Sequence, residues 1–515
     1  MIPARHLTLL SLAAAAAVGC GGSKKAGPCD VAARAGCGAG LVCEEVVGGQ
    51  PACFEPVVVA GRVYDLATGV GLPGAGVVAL DVDGAPASRI GLSATGTVPG
   101  AYLLALPAPR LPGGSPAPAS VTLRADRQGY ATFPSGLRTA LPVSTSAAVH
   151  AGGRWTLATS QTDLGLSALP PATTAQIAGT VAMPASGRGV LLVAEETTSR
   201  AGLTALPGSD GAFTVFNVPD GAYEVRAYSP GVNYPPLTVT VTGGVAAPAT
   251  IALAAGATPT ATVGGSVQLV AGTKWNATSV LLVVASTFDP ARLRGVAPPG
   301  LKASGVAATW SIAGIPDGHY RVLAGFETDY LVRDPSDIGG AAVLEFQVVG
   351  GLPRLMDGTT SAATLQGFKI TGAVRLTSPL KGADGACTAI AEAQLPADPA
   401  GLLPGPCTMA ATAPTFGWAG YSSQDFYELT VIDELGAVAW RARVAKGATG
   451  TVYGAAAGAS GVEAVLSPPA ALVPGRTYQA RVAARNDPKT PGGAEETLSA
   501  SEDLLGVFTH APVVP

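Results

Sequence analysis

The chain has 515 residues, more than one compact domain holds and enough for about three to five. Its 31 Lys and Arg stand against 35 Asp and Glu, a formal charge of −4 with no basic block, which argues against nucleic acid and against a basic lipid-binding patch. Charged residues are only 13% while 68 Gly and 43 Pro interrupt an apolar chain, so short strands and turns are expected and long amphipathic helices are not.

The N-terminus carries Arg5, then a twelve-residue apolar run from Leu7 to Val18. That length suits a signal-peptide core and falls short of the roughly 20 residues that span a bilayer. The run ends in Ala17-Val18-Gly19-Cys20, which resembles the lipobox of bacterial lipoproteins. The resemblance implies cleavage after residue 19, acyl chains on Cys20 and a stable membrane anchor. Gly21 rather than Asp follows the cysteine, which under the familiar sorting rule favours the outer membrane. A signal peptide is thus expected over 1–19 and a lipidated tether over 20–28.

Six further cysteines follow. Cys29, Cys37, Cys43 and Cys53 crowd one segment; Cys387 and Cys407 form a later pair. With Cys20 as lipid carrier no cysteine is left over, which suits an oxidising compartment. The first four lack the close CxxC pairs of zinc sites, so two disulfides are expected over 29–55, with three pairings open. This segment has almost no apolar core, so its bridges must hold it together.

From residue 56 the chain repeats itself. Phe213-Thr-Val215-Phe-Asn217-Val218-Pro219-Asp220-Gly221-Ala-Tyr223-Glu-Val225 aligns without a gap on Trp310-Ser-Ile312-Ala-Gly314-Ile315-Pro316-Asp317-Gly318-His-Tyr320-Arg-Val322, 97 residues on. Alternating apolar residues predict two strands joined by a Pro-Asp-Gly turn, in which Asp bonds the nearby backbone and Gly takes positive φ. Val98-Pro99-Gly100-Ala101-Tyr102-Leu103-Leu104 is expected to be a looser third copy. Opening strands read Val59-Ala-Gly61-Arg-Val63, Ile177-Ala-Gly179-Thr-Val181 and Val263-Gly-Gly265-Ser-Val267, with a candidate fourth at Ile370-Thr-Gly372-Ala-Val374. Apolar second strands follow, among them Val190 to Ala194 and Val280 to Ala285. Strands this short bury their apolar faces by pairing as sandwiches.

The Gly-x-Val strand, the Leu72-Pro73-Gly74-Ala75-Gly76-Val77 passage and the Gly-x-Tyr-x-Val hairpin resemble carboxypeptidase regulatory-like domains of the carbohydrate-binding-like fold. The resemblance covers about residues 56–350, with a Pro-rich insertion from Leu106 to Pro118, and implies a non-catalytic sandwich. Further on, Leu472-Val-Pro474-Gly475-Arg-Thr477-Tyr478 resembles the tyrosine corner of fibronectin type III domains, which implies Tyr478 as the corner tyrosine and Trp418 as the core tryptophan. The expected fold class is therefore all-β: tandem antiparallel β-sandwiches over 56–167, 175–254, 262–350 and 364–515. Pro- and Ala-rich linkers between them predict domains strung out like beads.

Candidate chemistry is sparse. Three histidines remain after the signal, His150, His319 and His510, far apart in sequence, and no HExxH, GxSxG or Walker motif occurs. Gly69-Val-Gly71-Leu-Pro-Gly74 matches GxGxxG, but Pro73 blocks the helix a dinucleotide site requires. Asp81-Val-Asp83-Gly84 is read as a polar turn rather than a calcium loop. His319 is expected on an exposed hairpin face opposite Tyr320, Trp310 in the core, and Trp275 as the ligand-contact candidate. No cofactor and no catalytic or metal residue is implied, and no enzyme is expected. The expected function is a non-catalytic, lipid-anchored envelope scaffold or adhesive module on the cell surface or periplasmic face, the alternative a carbohydrate-binding lipoprotein of the outer membrane. Partners are the membrane through the lipid, and a polysaccharide or another envelope protein.

Overall fold

The computed structural model describes residues 29–511 apart from 32–34, 135–139, 185–188, 272–277, 289–294, 327–343, 366, 372–373, 383, 395–405, 420–422, 434–436, 492, 494 and 502–505. Cys20, the expected signal peptide over 1–19 and Trp275 lie outside the described residues. Within them the chain is all-β, with 3-10 turns as its only helical elements.

Three consecutive sandwiches share one plan. Each opening strand, Val57–Asp65, Ala175–Val181 or Ala261–Ala271, runs through the middle of one sheet. On one side it pairs antiparallel with an aromatic-bearing strand, Ala101–Leu106, Ala212–Val218 or Thr309–Ile315. On the other it pairs parallel with the strand that closes the unit: Arg154–Leu157 with Leu164–Leu166, then Thr250–Leu253, then Phe368–Thr371. The facing sheet holds the second strand, Gly76–Leu80, Leu191–Glu196 or Thr278–Val284, beside a return strand, Ser120–Asp126, Gly221–Ser229 or Gly318–Phe326.

The Gly-x-Val signature has one cause in all three units. Gly61, Gly179 and Gly265 lie directly opposite Tyr102, Phe213 and Trp310 across the strand pair. The ring lies over the glycine: a Cβ on Gly179 would sit 2.3 Å from the Ile251 carbonyl oxygen and 3.0 Å from the Phe213 ring. On Gly265 it would sit 3.0 Å from the Trp310 indole. An aromatic ring filling the gap left by a strand glycine is a known device of sheet packing. All three rings are buried, so Trp310 is a core residue as expected.

Several expectations are corrected. Pro219-Asp220-Gly221 and Pro316-Asp317-Gly318 do not close hairpins. They carry the chain from one sheet to the other, because Phe213 and Tyr223 both point into the core and must come from opposite walls. Gly221 is near-extended at φ 159°; the left-handed residues are Asn217 (φ 59°) and Gly314 (φ 69°), each at a bulge where the register slips. Asp220 reaches a distant turn, accepting N–H from Gly243 and Gly244, and Asp317 does the same for Gly350 and Gly351. Gly100-Ala-Tyr102 matches Gly211-Ala-Phe213 instead of the Gly-x-Tyr passage: both glycines have φ near 80° and accept from the opening strand, at Val63 and Val181. The candidate fourth opening strand closes the third sandwich at residues 368–371, so the last domain begins after it rather than at 364.

That last domain packs a seven-stranded sheet against a three-stranded one around Trp418, Trp440, Tyr427 and Phe416. The Tyr478 hydroxyl accepts the Val473 N–H at 2.7 Å, tying the strand to the turn before it. Disulfides join Cys29 to Cys43, Cys37 to Cys53 and Cys387 to Cys407.

Gly179→Ala is expected to cost about 1–3 kcal/mol by overpacking, read as a lower midpoint in thermal or urea unfolding. The Asp220 carboxyl, held down by the N–H groups of Gly244 and Gly243, is expected to titrate below its usual 3.8 in NMR. Its stabilising contribution is then full above that pH and is lost as pH falls through the lowered value.

Candidate functional site

The residues with chemical capacity gather where domains meet. At the first seam, the Pro-rich insertion of the first sandwich grips the cysteine-rich module. Glu44 follows Cys43 on strand Val42–Glu44, so the second strand of the module and its disulfide fix its position. Its carboxylate pairs with Arg110 of the insertion, and both side chains are 1% exposed. Glu44 also accepts the Ala108 N–H at 2.9 Å, while Arg110 donates to the Glu55 and Gly114 carbonyls and lies over the Phe54 ring. Burial pushes the Glu44 carboxyl up, against the pull of Arg110. Main-chain bonds between Arg110 and both Glu45 and Val47 complete the joint.

The next two seams are built on equivalent positions. The bulged Asn217 donates to the Arg127 and Tyr130 carbonyls and accepts the Gly129 N–H, all in the loop after the first return strand. Gly314, its repeat equivalent, accepts the N–H of Gly231, in the loop after the second return strand. Asp317 N–H donates to Asn233 there at 2.8 Å. Each sandwich thus presses its bulge into the loop of the one before. The expected string of beads is corrected: the linkers are short and the units are bonded to each other. The outward side chains Leu191, Val193 and Tyr228 of the second sandwich belong to the core of the third. That explains the unbroken apolar run Leu191–Ala194, which is covered on both faces.

A cavity of ≈ 410 Å³ opens in the seam between the second and third sandwiches. Its floor is the outer face of the second sandwich, where Arg226 stands opposite Val193 and Tyr228 opposite Leu191. Glu195 pairs with Arg200 at 3.0 Å and Arg226 with Glu224 at 2.6 Å. His319 closes the far wall, 3.5 Å from Arg200 and 3.1 Å from Gln347. It lies opposite Tyr320 as expected, but half-buried, because the second sandwich covers it. Tyr228 and Tyr320 meet edge to face, and burial raises both phenols far above their usual range. Gly318 makes room for this: a Cβ there would lie 2.5 Å from the Tyr228 ring.

The remaining candidates lie apart. His150 lies against Trp155 at an exposed hairpin, the rings tilted by 46°, and His510 is buried in the last domain. Asp81 caps its own turn and Asp83 pairs with Lys302 of the third sandwich. Sequence reasoning missed Glu44, Arg110, Tyr228 and Arg226. The continuous apolar run was the one signal that a neighbour covers that face.

Residues 179–292 match the family model of the β-sandwich domain of ER membrane protein complex subunit 7. The match starts at the opening glycine of the second sandwich and ends inside the third. No curated protein matches the chain. Among solved structures, it is similar to the Bacillus anthracis TIE protein at 11% identity, over 62% of this chain and 51% of that one, with a TM-score of 0.15. It is also similar to the shaft pilin spaA from Lactobacillus rhamnosus GG, at 11% identity over 39% and 97% of the two chains and a TM-score of 0.16. The corresponding values for BcpA, the major pilin subunit of Bacillus cereus, are 8%, 61%, 98% and 0.15. The chain spans about half the length of the TIE protein.

Arg110→Ala is expected to destabilise the protein by about 3–5 kcal/mol, since it strands a buried carboxylate. The double change Glu44→Leu with Arg110→Met should restore most of that loss in urea unfolding.

Proposed function

We propose that the chain is a non-catalytic, lipid-anchored protein of the cell envelope that acts as a multidomain scaffold or adhesive module. The observation that carries this is where the charged side chains are used. Glu44 and Arg110 weld the module to the first sandwich, Asp220 and Asp317 cap turns, and Glu428 holds Arg441 and Arg485 together across three strands. Such use suits a protein whose task is to hold a shape under load. The lipobox-like Ala17-Val18-Gly19-Cys20 supports an anchor, and three disulfides support export to an oxidising compartment. The regulatory-like assignment of the three sandwiches is supported by their shared plan and Gly–aromatic pairs. Tyr478 on the Val473 amide and the buried Trp418 support a fibronectin type III-like last domain. The second reading, a carbohydrate-binding lipoprotein, is favoured by the polar cleft between the second and third sandwiches.

Protease treatment of intact cells tests the first reading against Cys20→Ala. Wild type should be cleaved from the cell surface and the variant released as soluble protein. Wild type that is cut only after lysis faces the periplasm, and the adhesive reading then fails.

A further inference from the structure

We propose that the cleft between the second and third sandwiches binds a neutral saccharide unit, held by the Tyr228 hydroxyl and the Arg226 guanidinium. The inference deepens the carbohydrate-binding reading, and it stands independently of where the protein is anchored.

The charges at the cleft are mostly paired, with a small negative excess. Glu195 is matched by Arg200, and Arg226 by Glu224 at the edge of the same face. Both oxygens of Asp317 are taken by the N–H groups of Gly350 and Gly351. Three carboxylates thus stand against two guanidiniums, which disfavours an anionic ligand, while the ion pairs along the floor make the site unfit for a lipid chain.

Hydrogen-bonding capacity remains after these pairs are made. Tyr228 is 1% exposed, yet it lines the cavity. Among the described residues its hydroxyl has no hydrogen-bond partner, although the ring is clamped by Gly318 and Tyr320. Among the described residues Arg226 bonds the protein through Nη2 alone, to Glu224. The ring is buried while the hydroxyl faces the cleft, so a ligand hydroxyl placed there would meet an unpaired donor and acceptor. The cleft is also lined by the apolar side chains of Pro235, Pro236, Val348 and Val349. A pyranose ring alternates hydroxyl edges with C–H faces in the same manner. The volume of ≈ 410 Å³ falls at the lower end of small-molecule sites. Because the seam is already bonded through Gly231–Gly314 and Asn233–Asp317, the two walls are held in place before any ligand arrives.

The test uses the full-length protein in detergent, titrated calorimetrically with neutral oligosaccharides of glucose, mannose, galactose and N-acetylglucosamine, and with oligogalacturonate and alginate fragments. At least one neutral series should bind. Tyr228→Phe keeps the ring and removes only the hydroxyl; it should weaken binding roughly tenfold with an unchanged melting midpoint. Arg226→Gln should do the same. Absence of binding by every neutral series overturns the proposal, as does wild-type affinity in both variants. Preference for the uronate fragments overturns the neutral class. Cell-surface shaving can fail while binding succeeds, so loss of the envelope reading and loss of this site are separable.

Discussion

The fold turns on a contact made three times: an aromatic ring laid over a strand glycine. Gly61, Gly179 and Gly265 have no side chain because Tyr102, Phe213 and Trp310 occupy that space. The ring seals the inner face of one sheet, and the glycine lets the opening strand run close to both of its neighbours. The parallel closing strand depends on this, since the Ile251 carbonyl comes within contact distance of Gly179. The order of each unit follows. An opening strand with partners on both sides needs a chain that leaves, crosses to the other sheet, and comes back. In the second and third units the Pro-Asp-Gly corner makes the crossing, and the Asp of that corner then steadies a glycine turn on the return hairpin.

The same corner governs assembly. A bulge just before it in the second and third units brings Asn217 or Gly314 outward in a left-handed conformation, against the loop of the preceding sandwich. The first unit has an unbroken register at the matching place, from Val57–Leu106 onward, and carries the Pro-rich insertion instead. There the neighbour is the cysteine-rich module, and Arg110 replaces the bulge as the means of attachment. One architectural position therefore serves three joints by two chemical routes.

Much of this was readable from the residues, and the limit has a physical cause. Period-two alternation and the Gly-x-Val strands mark the sandwiches because both ends of each signal lie within one unit. The tyrosine at 478 and its turn are legible for the same reason, being five residues apart. Cysteine number implied three bridges, yet the pairing of Cys29 with Cys43 depends on how a short hairpin closes. The seams escape sequence inspection because their halves are about 60 to 120 residues apart: Glu44 finds Arg110, Asn217 finds Tyr130, Arg200 finds His319. Nothing in the local pattern of Arg110, among prolines, announces a buried charge. The Pro-Asp-Gly corner departs from the expected hairpin because a turn motif specifies a reversal of the chain and leaves open whether the two strands pair or face each other.

The parallel pairing of first and last strands sets how each unit transmits tension. In the second sandwich Ala178 to Val181 lie beside Thr250 to Leu253, running the same way. A pull on the two ends of the unit draws these strands past one another lengthwise. Their cross-strand hydrogen bonds are then loaded together in shear, where a hairpin opened from its end would lose them one at a time. Tethered at one terminus and held at the other, such a unit would yield by sudden rupture of the whole ladder rather than by gradual unzipping.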